Sequence, residues 1–410
     1  MKNGKMKKLI VILLFSILWA TFVNAQTAKE LYNSGLSKYE HKDFKGALQD
    51  LDRAIIMEPG FEKAYHNRGL VRYSLMDYKG ALMDLDQAIA LNPAYTNAYN
   101  DRGLVYFRQK IYDAAAGDFD KAIELDPSYV TAINNRAAIK YILKDYNGAS
   151  NDYTKAIRLR PADADAWSGR GLARIAQKDY QGAIDDEDKA IALNPNLSVA
   201  YVNRGNARFE LKDNEGALSD YNRVVELQPT NSNVYYNLGR LYAAQMNNDE
   251  ALRNYRQYTL LEPSEWNGYK NIGDIYYNQL KNYDSSLYYY KQAYGINRNE
   301  KDILMNYGYS LLKKGYTTDA IAMFNNEVNL LRDDPWGYYN LAAAYSANNQ
   351  YKEAIAQLSI ALQKKMTELG YWEKDMYLNN IRNSPEFSVL VRKYFTPDEL
   401  KKYPGIFVAK

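Results

Sequence analysis

The sequence predicts an all-α protein built as a long array of helix-turn-helix units. Proline, glycine and alanine each recur every 34 residues, and the three rows keep one phase. The rows are Pro59, Pro93, Pro127, Pro161, Pro195, Pro229 and Pro263; Gly35, Gly69, Gly103, Gly171, Gly205, Gly239 and Gly273, with Ala137 standing once in the glycine row; and Ala47, Ala81, Ala115, Ala149, Ala183, Ala217 and Ala251. A fixed period of about 20–50 residues indicates a solenoid or a propeller, in which each unit packs against its neighbours.

Each period contains two helices that pack face to face. We number the positions of the repeat from 1 to 34, with the glycine row at position 8. Position 4 is mostly aromatic, positions 20 and 27 are mostly alanine, and position 24 is mostly large and apolar. Because these positions are spaced three or four residues apart, they lie on one face of each helix. The proline at position 32 cannot continue a helix, so it ends the second one.

The first 25 residues have the pattern of a secretory signal peptide. Four lysines precede an apolar stretch from Leu9 to Trp19, and small residues near Ala25 provide a cleavage position. The stretch is shorter than the roughly 20 residues that span a bilayer, so we expect cleavage before Gln26 rather than an uncleaved anchor. The sequence contains no cysteine, so it has no lipoprotein anchor, and the expected location is the periplasm or the medium.

The charge of the chain gives no reason to expect nucleic acid as a partner. The chain has 52 basic and 49 acidic residues, but the first 25 residues contribute four lysines and no acid. The rest therefore has 48 basic and 49 acidic residues and lacks the positive field that attracts nucleic acids or acidic membranes. No membrane span is predicted after signal cleavage, and no oligomeric state is predicted. Without cysteine, stability must come from helix packing rather than from disulfides.

Ten repeats are predicted in residues 26–369. Repeat eight contains one additional residue in the turn between its helices, because the next glycine of the row, Gly308, lies 35 residues after Gly273. In residues 370–410 the period is lost. Ser384 and Thr396 each provide a hydroxyl N-cap followed by proline, which suits the first position of a helix. A terminal repeat exposes an apolar face, so we expect these helices to cap it.

This pattern resembles the tetratricopeptide repeat, a helix-turn-helix unit of 34 residues, over roughly residues 28–367. The resemblance implies a right-handed superhelical solenoid in which the first helices line a concave groove through positions 2, 5, 6, 9, 12 and 13. It also implies a non-enzymatic scaffold that binds a protein or an extended peptide in that groove. Some members hold acidic peptide C-termini with a set of lysines and asparagines. This chain lacks that set, since Val202 stands at position 5 where Asn206 stands at position 9.

Amides and aromatic rings dominate the positions expected to face the groove. Asparagine occupies position 6 in eight of ten repeats. Such a row can hydrogen-bond a peptide backbone, or it can orient the repeats instead. The predicted partner-binding residues are Asn67, Tyr73, Asn100, Phe107, Asn134, Asn135, Tyr141, Asn203, Asn206, Tyr236, Asn237, Asn271, Tyr277, Asn306 and Asn340. The rings at position 12 also suit stacking on sugars, so an envelope glycan is the alternative ligand.

Arginine at position 7 and aspartate at position 23 occur together and are lost together near residue 230. The arginines are Arg68, Arg102, Arg136, Arg170 and Arg204, and the aspartates are Asp50, Asp84, Asp118, Asp152, Asp186 and Asp220. We therefore predict structural ion pairs rather than a basic stripe for nucleic acid. The ends of the two rows leave open whether each arginine pairs within its own repeat or with the preceding one.

The sequence contains no catalytic or metal-binding motif, so we predict a protein that is not an enzyme and has no cofactor. His41 and His66 have no partner ligand at a suitable spacing, and no nucleotide-binding loop or nucleophile motif is present. Two acids depart from the repeat pattern, Glu187 at position 24 and Glu327 at position 27. A buried, unpaired carboxylate is unfavourable, so we expect Glu187 to reach solvent or a neighbouring arginine.

Overall fold

The computed structural model describes residues 26–406, and the predicted signal peptide lies outside the described residues. Every regular element in residues 26–406 is helical, and successive helices pair as helix-turn-helix units. The all-α fold class predicted from the sequence is therefore confirmed. The chain divides into two compact units between Leu211 and Lys212, and the described part of each, residues 26–211 and residues 212–406, is treated by itself.

In the first unit, the first (A) and second (B) helices of the repeats alternate. They are α1 (Ala28–Glu40), α2 (Phe44–Met57), α3 (Glu62–Ser74), α4 (Tyr78–Leu91), α5 (Thr96–Arg108), α6 (Tyr112–Leu125), α7 (Val130–Ile142), α8 (Tyr146–Leu159), α9 (Ala164–Ala176), α10 (Tyr180–Leu193) and α11 (Ser198–Glu210). From α1 to α10, each A helix packs against the B helix of its own repeat, and each B helix also packs against the next A helix. The core is therefore continuous from one repeat to the next.

The second unit continues the alternation and ends in short helices. It contains α12 (Asn214–Leu227), α13 (Ser232–Ala244), α14 (Asn248–Leu261), α15 (Trp266–Asp274), α16 (Tyr283–Ile296), α17 (Lys301–Lys313), α18 (Thr317–Leu330), α19 (Pro335–Ala347), α20 (Tyr351–Gln363), α21 (Leu369–Lys374), α22 (Asn379–Arg382), α23 (Pro385–Tyr394) and α24 (Pro397–Lys401). Short 3₁₀ turns follow α21 at Met376–Leu378 and α24 at Pro404–Ile406.

Aspartate begins most B helices of the first unit. In the example of α4, the Asp77 carboxylate accepts a hydrogen bond from the backbone N–H of Gly80 at 3.0 Å, which satisfies a donor that the helix leaves free. The equivalent hydrogen bond from a glycine N–H to an aspartate three residues earlier caps the N-termini of α2, α8 and α10. A Cβ atom on Gly80 would lie 2.2 Å from Oδ2 of Asp77. The Asp-x-x-Gly sequence therefore determines where these helices begin.

The glycine at position 8 lets a large side chain of the B helix lie against the backbone of the A helix. A Cβ atom on Gly103 would lie 2.7 Å from Cε1 of Phe119, and one on Gly239 would lie 2.6 Å from the ring of Tyr255. The Phe119 side chain is fully buried, so its ring has no free space to move into. This close approach explains the glycine row.

Gly103→Ala is expected to destabilise the protein by about 1–3 kcal/mol, because the added methyl group overlaps the Phe119 ring. The matched control is Gly117→Ala in α6 of the same repeat, where nothing lies within 4 Å of the added Cβ atom. The control should stabilise the helix by about 0.5–1 kcal/mol, because alanine is the better helix former. Urea unfolding of both variants measures the difference, and equal midpoints would contradict this account.

Repeat eight accommodates its additional residue inside the A helix. Helix α15 continues into a π-helical turn over Ile275–Gln279, and such a wider turn absorbs one extra residue. The register is restored in α16, where Tyr290 again lies against Gly273. The insertion therefore changes the end of one helix and leaves the packing of the repeat intact.

The segment after the tenth repeat shares an apolar core with that repeat. Trp372 lies 34 residues after Tyr338 and so continues the aromatic row at position 4. Its buried ring contacts Tyr339 in the tenth repeat, Phe387 in α23 and Phe395 just after it. The helix around Trp372 is short, and the chain then turns back across the A helices. This turn forms one side of the pocket described below.

Candidate partner-binding site

Arg68 illustrates how the arginine and aspartate rows meet. Its Nε and Nη2 atoms donate to Oδ2 and Oδ1 of Asp84 at 3.0 and 2.6 Å. Its Nη1 atom donates to Asp52 at 2.6 Å. Asp84 lies in the B helix of the same repeat, whereas Asp52 lies in the B helix of the preceding repeat. One guanidinium group therefore connects three helices.

The same geometry recurs along the first unit. The two-bond pairs within a repeat are Arg102–Asp118, Arg136–Asp152 and Arg170–Asp186. The third bond of each arginine reaches position 25 of the preceding repeat. These bonds join Arg102 to Asp86, Arg136 to Asp120, Arg170 to Thr154 and Arg204 to Asp188. Asp50 binds Lys38 and Ser34 instead, and Asp220 is buried in the second unit. Position 25, which sequence reasoning overlooked, supplies the bond between repeats.

These arginines are used within the helix stack. The hydrogen bond to Asp118, followed by the bond to Asp86, raises the pKa of Arg102 above its already high value. The guanidinium carbon of Arg102 also lies 5.5 Å from the centroid of the Tyr99 ring, a favourable cation–π contact. With its donors and its face both occupied, Arg102 has little capacity left for phosphate groups.

The amides at position 6 join neighbouring repeats. Asn67 Nδ2 donates to the Tyr32 hydroxyl at 3.0 Å, and Asn135 Nδ2 donates to Asn100 Oδ1 at 2.9 Å. In both pairs, position 6 meets position 5 of the preceding repeat. These bonds favour the interpretation that the amides orient the repeats.

Three predicted partner-binding residues lie inside the fold. Asn100, Asn203 and Asn340 are 2%, 4% and 1% exposed. Asn203 donates to Glu187 at 2.9 Å, and Asn340 donates to Glu327 at 3.1 Å. Burial argues against partner contact for Asn100 and Asn203, which Asp101 and Glu187 hold inward, whereas Asn340, held by Glu327, still lines the pocket described below. The other predicted amides are partly exposed: Asn67, Asn134, Asn135, Asn206, Asn237, Asn271 and Asn306.

Glu187 reaches neither solvent nor an arginine, so that sequence expectation is wrong. The side chain is fully buried, and its Oε2 atom has no hydrogen-bond partner in the described residues. Burial raises the pKa of Glu187 to about 9, so the carboxyl group is neutral at pH 7. Glu327 is buried as well, and burial raises its pKa to about 7. Because the buried Glu187 carboxyl group is protonated, it carries no charge and does not need the neighbouring arginine that we expected from the sequence.

His66 belongs to a buried polar cluster that sequence reasoning missed. Its Nε2 atom lies 2.6 Å from Oδ2 of Asp101, and its Nδ1 atom lies 3.1 Å from the Tyr95 hydroxyl. His66 is 6% exposed, so this cluster connects repeats and does not present a catalytic base. A signal was present in the sequence: position 6 changes from asparagine to aspartate in the repeat that follows the histidine.

Asp101→Asn is expected to lower the stability by about 1.5–3 kcal/mol, although it restores the residue typical of position 6. The substitution removes the charged acceptor of the bond to His66, and bonds to charged groups are worth about that much. Thermal unfolding measures the loss. The double variant with His66→Asn recreates the amide pair of Asn100 and Asn135, so it should recover most of the stability. An unchanged midpoint for Asp101→Asn would contradict this prediction.

The aromatic residues predicted for the groove pack beside a second ring. The pairs are Tyr73–Tyr78, Phe107–Tyr112, Tyr141–Tyr146 and Tyr277–Tyr283, with ring centroids 5.4–6.0 Å apart, while Tyr236 faces Tyr255 and Tyr258. The first member of each pair remains partly exposed. These rings therefore brace the turn between the two helices and still present surface.

A pocket of about 750 Å³ lies in the second unit, between the A helices of repeats eight to ten on one side and α21 with the segment that follows it on the other. We call it the C-terminal pocket. Its lining includes Tyr277, Met305, Tyr309, Trp336, Tyr339, Asn340, Tyr371 and Tyr377, together with the lysines Lys301, Lys313 and Lys374. It thus brings Tyr277 and Asn340 of the predicted residues together with rings and amines that the sequence did not single out.

The described part of the chain contains neither a helix that could span a membrane nor a cluster of metal ligands. None of its helices combines the length and the apolar composition needed to cross a membrane. No group of three or more His, Cys, Asp or Glu side chains within residues 26–406 could hold a metal ion.

Family profiles match the chain over several segments. A profile described as "TPR repeat" matches residues 72–110 and 205–246. Profiles described as "Tetratricopeptide repeat" match residues 96–129, 143–198 and 236–301. No curated protein matches the sequence.

Several solved structures are similar to this chain. A tetratricopeptide repeat protein from Parabacteroides merdae is 18% identical, with a TM-score of 0.50 over 60% of this chain and 98% of that chain. PilF from Pseudomonas aeruginosa is 19% identical, with a TM-score of 0.47 over 53% and 97%. Yeast Tom70 is 17% identical, with a TM-score of 0.43 over 92% and 98%. At these identities the likeness concerns the fold alone.

Proposed function

Because the chain belongs to the tetratricopeptide repeat family, we propose that it is an exported, non-enzymatic scaffold that binds a protein or an extended peptide in a concave groove of its A helices. The observation that carries the proposal is the C-terminal pocket, where rings, thioether groups and amines from three repeats and from the segment after them face one space. Apolar pockets with a few placed polar groups are typical ligand sites. Tyrosine, tryptophan and methionine are also the residues enriched at protein interfaces.

An amide in the first unit supports the same proposal. Asn134 lines a polar pocket with Thr131, Arg160 and Asp163. Its Oδ1 atom is buried and has no hydrogen-bond partner in the described residues. A buried acceptor without a donor is unfavourable, and a backbone N–H of an extended peptide would satisfy it. Gly169 stands at position 6 of the next repeat, so no amide from that repeat can take this place.

Site-specific photo-crosslinking in the native envelope tests the proposal. A photoreactive residue replaces Met305 in the C-terminal pocket, and the matched control replaces Met83 on a B helix, which is 64% exposed. We expect adducts with peptides of one protein at position 305 and none at position 83. Equal labelling at both positions would contradict groove binding. N-terminal sequencing of the recovered chain tests export, for which the expected first residue is Gln26.

Glycan binding is the competing outcome. The rings at position 12 could stack on sugars, so the mature chain is also passed over immobilised envelope glycans and envelope peptides. Retention on glycan alone, lost when Tyr73, Phe107 and Tyr141 are replaced by alanine, would overturn the scaffold proposal. Retention on peptide that survives competition with free sugars would support it.

A further inference from the structure

Repeat seven lacks the pair of aromatic rings that braces the turn between the helices in five other repeats. There, a ring at position 12 packs against a ring on the first residue of the B helix, with centroids 5.4–6.0 Å apart. The pairs are Tyr39–Phe44, Tyr73–Tyr78, Phe107–Tyr112, Tyr141–Tyr146 and Tyr277–Tyr283. In repeat seven the corresponding residues are Ala243 and Asn248. Two rings that fill space elsewhere are therefore replaced by small side chains here.

A pocket of about 190 Å³ lies at this place in the second unit, and we call it the repeat-seven pocket. Repeats seven and eight both contribute to its lining, which consists of Ala243, Asn248, Tyr255, Asn271, Asp274, Ile275, Asn278 and Gln279. A cavity of roughly 150 Å³ takes one benzene molecule. The repeat-seven pocket therefore has room for one six-membered ring.

The π-helical turn of repeat eight forms one wall of the pocket. Three residues of this turn, Ile275, Asn278 and Gln279, belong to the lining. Asn278 and Gln279 are exposed, so the pocket opens to the surface beside them. Turns of this kind occur frequently at functional sites. The insertion in repeat eight and the loss of two rings from repeat seven thus shape the same site.

Asn248 brings an unsatisfied acceptor to this pocket. Its Oδ1 atom is buried and has no hydrogen-bond partner in the described residues. The helix does not need this side chain for its start, because Asn247 caps α14 by accepting a hydrogen bond from the backbone N–H of Glu250. A buried acceptor without a donor is unfavourable. A ligand that carries an O–H or N–H group would satisfy it.

The carboxylate in the lining is already used by the fold. Among the described residues that line the pocket, only Asp274 is charged. Its Oδ1 atom accepts hydrogen bonds from the Tyr290 hydroxyl at 2.6 Å and from the Asn306 amide at 3.0 Å. Its Oδ2 atom accepts one from the Lys270 amine at 2.9 Å. Asp274 therefore has little capacity left for a cationic ligand.

The charges just outside the lining also occur with both signs. Burial is the main cause that raises the pKa of the Tyr255 hydroxyl, and Arg240 lowers this pKa while Asp274 raises it. On the other side, Asp302 lies 3.9 Å from Lys270. Since cations and anions face the pocket together, neither sign dominates. A charged ligand would lose its hydration there without gaining a partner of its own, so the pocket favours a neutral polar ligand.

We propose that the repeat-seven pocket binds the side chain of a tyrosine in an extended partner polypeptide. The phenol ring takes the space left by the missing rings, and its hydroxyl donates to Oδ1 of Asn248. A polypeptide is the source of the ring because Asn271 and Asp274 stand at positions 6 and 9, among the positions expected to face the groove. The proposal rests on the proposed scaffold function and specifies a side chain that its ligand carries.

Isothermal titration of the mature chain with neutral, capped peptides tests this proposal. The probe is acetyl-Ser-Gly-Tyr-Gly-Ser-amide, and the comparison peptide has Phe in place of Tyr. We expect the Tyr peptide to bind and the Phe peptide to bind at least about tenfold more weakly, because the Phe ring leaves the buried acceptor unsatisfied. Equal binding of the two peptides, or binding of neither, would overturn the proposal.

Two small molecules distinguish other sources of the same chemistry. Binding of p-cresol without the Tyr peptide would overturn the assignment to a partner's side chain and indicate a free phenol. Binding of N-acetylglucosamine without the Tyr peptide would overturn it in favour of a sugar. Binding of the Tyr peptide that free N-acetylglucosamine does not displace would support the proposal.

Removal of the acceptor, with a matched control, identifies the residue responsible. Asn248→Leu should abolish the preference for the Tyr peptide over the Phe peptide, because it removes the oxygen that accepts from the phenol. Asn214→Leu makes the same change at the equivalent first residue of α12 in repeat six, outside the pocket lining, and should keep the preference. Loss of the preference in both variants, or in neither, would refute the role of Asn248.

Restoring the ring pair should close the site without harming the fold. Ala243→Phe combined with Asn248→Tyr recreates the pair formed by Phe107 and Tyr112. We expect this variant to unfold at the same or a higher temperature and to bind the Tyr peptide at least about tenfold more weakly. A folded variant that binds as tightly as the natural chain would show that the peptide lies elsewhere. The Asn248→Leu measurement decides the question if the double variant does not fold.

The two proposals can fail separately. If photo-crosslinking at position 305 captures a partner protein while the Tyr peptide does not bind, the scaffold function stands and the tyrosine proposal falls. If the peptides bind in the expected order and no partner is captured in the envelope, the pocket chemistry stands and the cellular role falls.

Discussion

Arg102→Ala is expected to destabilise the protein by about 3–5 kcal/mol, the range found when one partner of a buried ion pair is removed. The Asp118 side chain is only 8% exposed and accepts two hydrogen bonds from Arg102, at 2.8 and 2.6 Å. Without the guanidinium group, this buried carboxylate would remain in the core with no cation. Urea unfolding of the mature chain measures the loss.

A double-mutant cycle separates the two carboxylates that Arg102 binds. Asp86 is 56% exposed, so its coupling to Arg102 should be below about 1 kcal/mol. The coupling between Arg102 and Asp118 should be several times larger, because that pair is buried and has two hydrogen bonds. Near-zero coupling to both aspartates, together with salt-sensitive DNA binding that Arg102→Ala abolishes, would restore the interpretation of a basic stripe.

Glu187→Gln is expected to remove a loss of stability that the natural chain suffers as pH rises. Burial raises the pKa of Glu187 from an ordinary 4.5 to about 9. Between these pH values the unfolded chain releases the proton and the folded chain keeps it. Deprotonation therefore stabilises the unfolded state, and the free energy of unfolding falls as the pH rises. The slope is about 1.4 kcal/mol per pH unit, so the loss relative to pH 4 is on the order of 3 kcal/mol at pH 7.

The comparison of both proteins across pH makes this prediction specific. Near pH 4 the glutamine variant and the natural chain should unfold at similar urea concentrations, since glutamine and a protonated carboxyl group have similar shape and polarity. The variant should then become progressively more stable than the natural chain up to about pH 9. Glu40→Gln, at an exposed position, serves as the control and should show no such divergence. Parallel curves for Glu187→Gln and the natural chain would show that Glu187 ionises in the folded state.

The fold could be predicted because its information is local and repeated. The small residues at positions 8, 20 and 27 indicate where the backbones of two helices approach each other closely, as at Gly103, which packs against Phe119. The proline at position 32 indicates where each pair of helices ends. Because each repeat packs on the next in the same way, one period carries the geometry of the array. The linked rows of arginine and aspartate likewise indicated ion pairs, but a shared pattern does not say which helix supplies each bond.

The site was predicted less well because groove residues depend on what neighbouring repeats place opposite them. Asn203 has the same repeat position as Asn67, yet it is buried because Glu187 accepts its hydrogen bond. Apart from Trp372, the chain after the tenth repeat does not follow the period. The contribution of Lys374 and Asp375–Tyr377 to the C-terminal pocket could therefore not be inferred from spacing. The pocket arises from the contact between a periodic array and a segment that leaves the period.

The hydrogen bonds that the arginines at position 7 make between neighbouring repeats have a mechanical consequence. Each third bond, such as Arg68 to Asp52, crosses from one repeat to the next, so tilting one repeat against its neighbour stretches a charged bond. Position 7 in the later repeats holds no arginine but Leu238, Ile272, Tyr307 and Leu341, and the mostly apolar contacts of such side chains are not directional. We therefore expect the first unit to be stiff and the second to be compliant. Hydrogen exchange would reveal this as uniform, slow exchange in α3–α9 and graded, faster exchange in α13–α20. The protein would then combine a rigid first unit with a deformable second unit, which contains the C-terminal pocket.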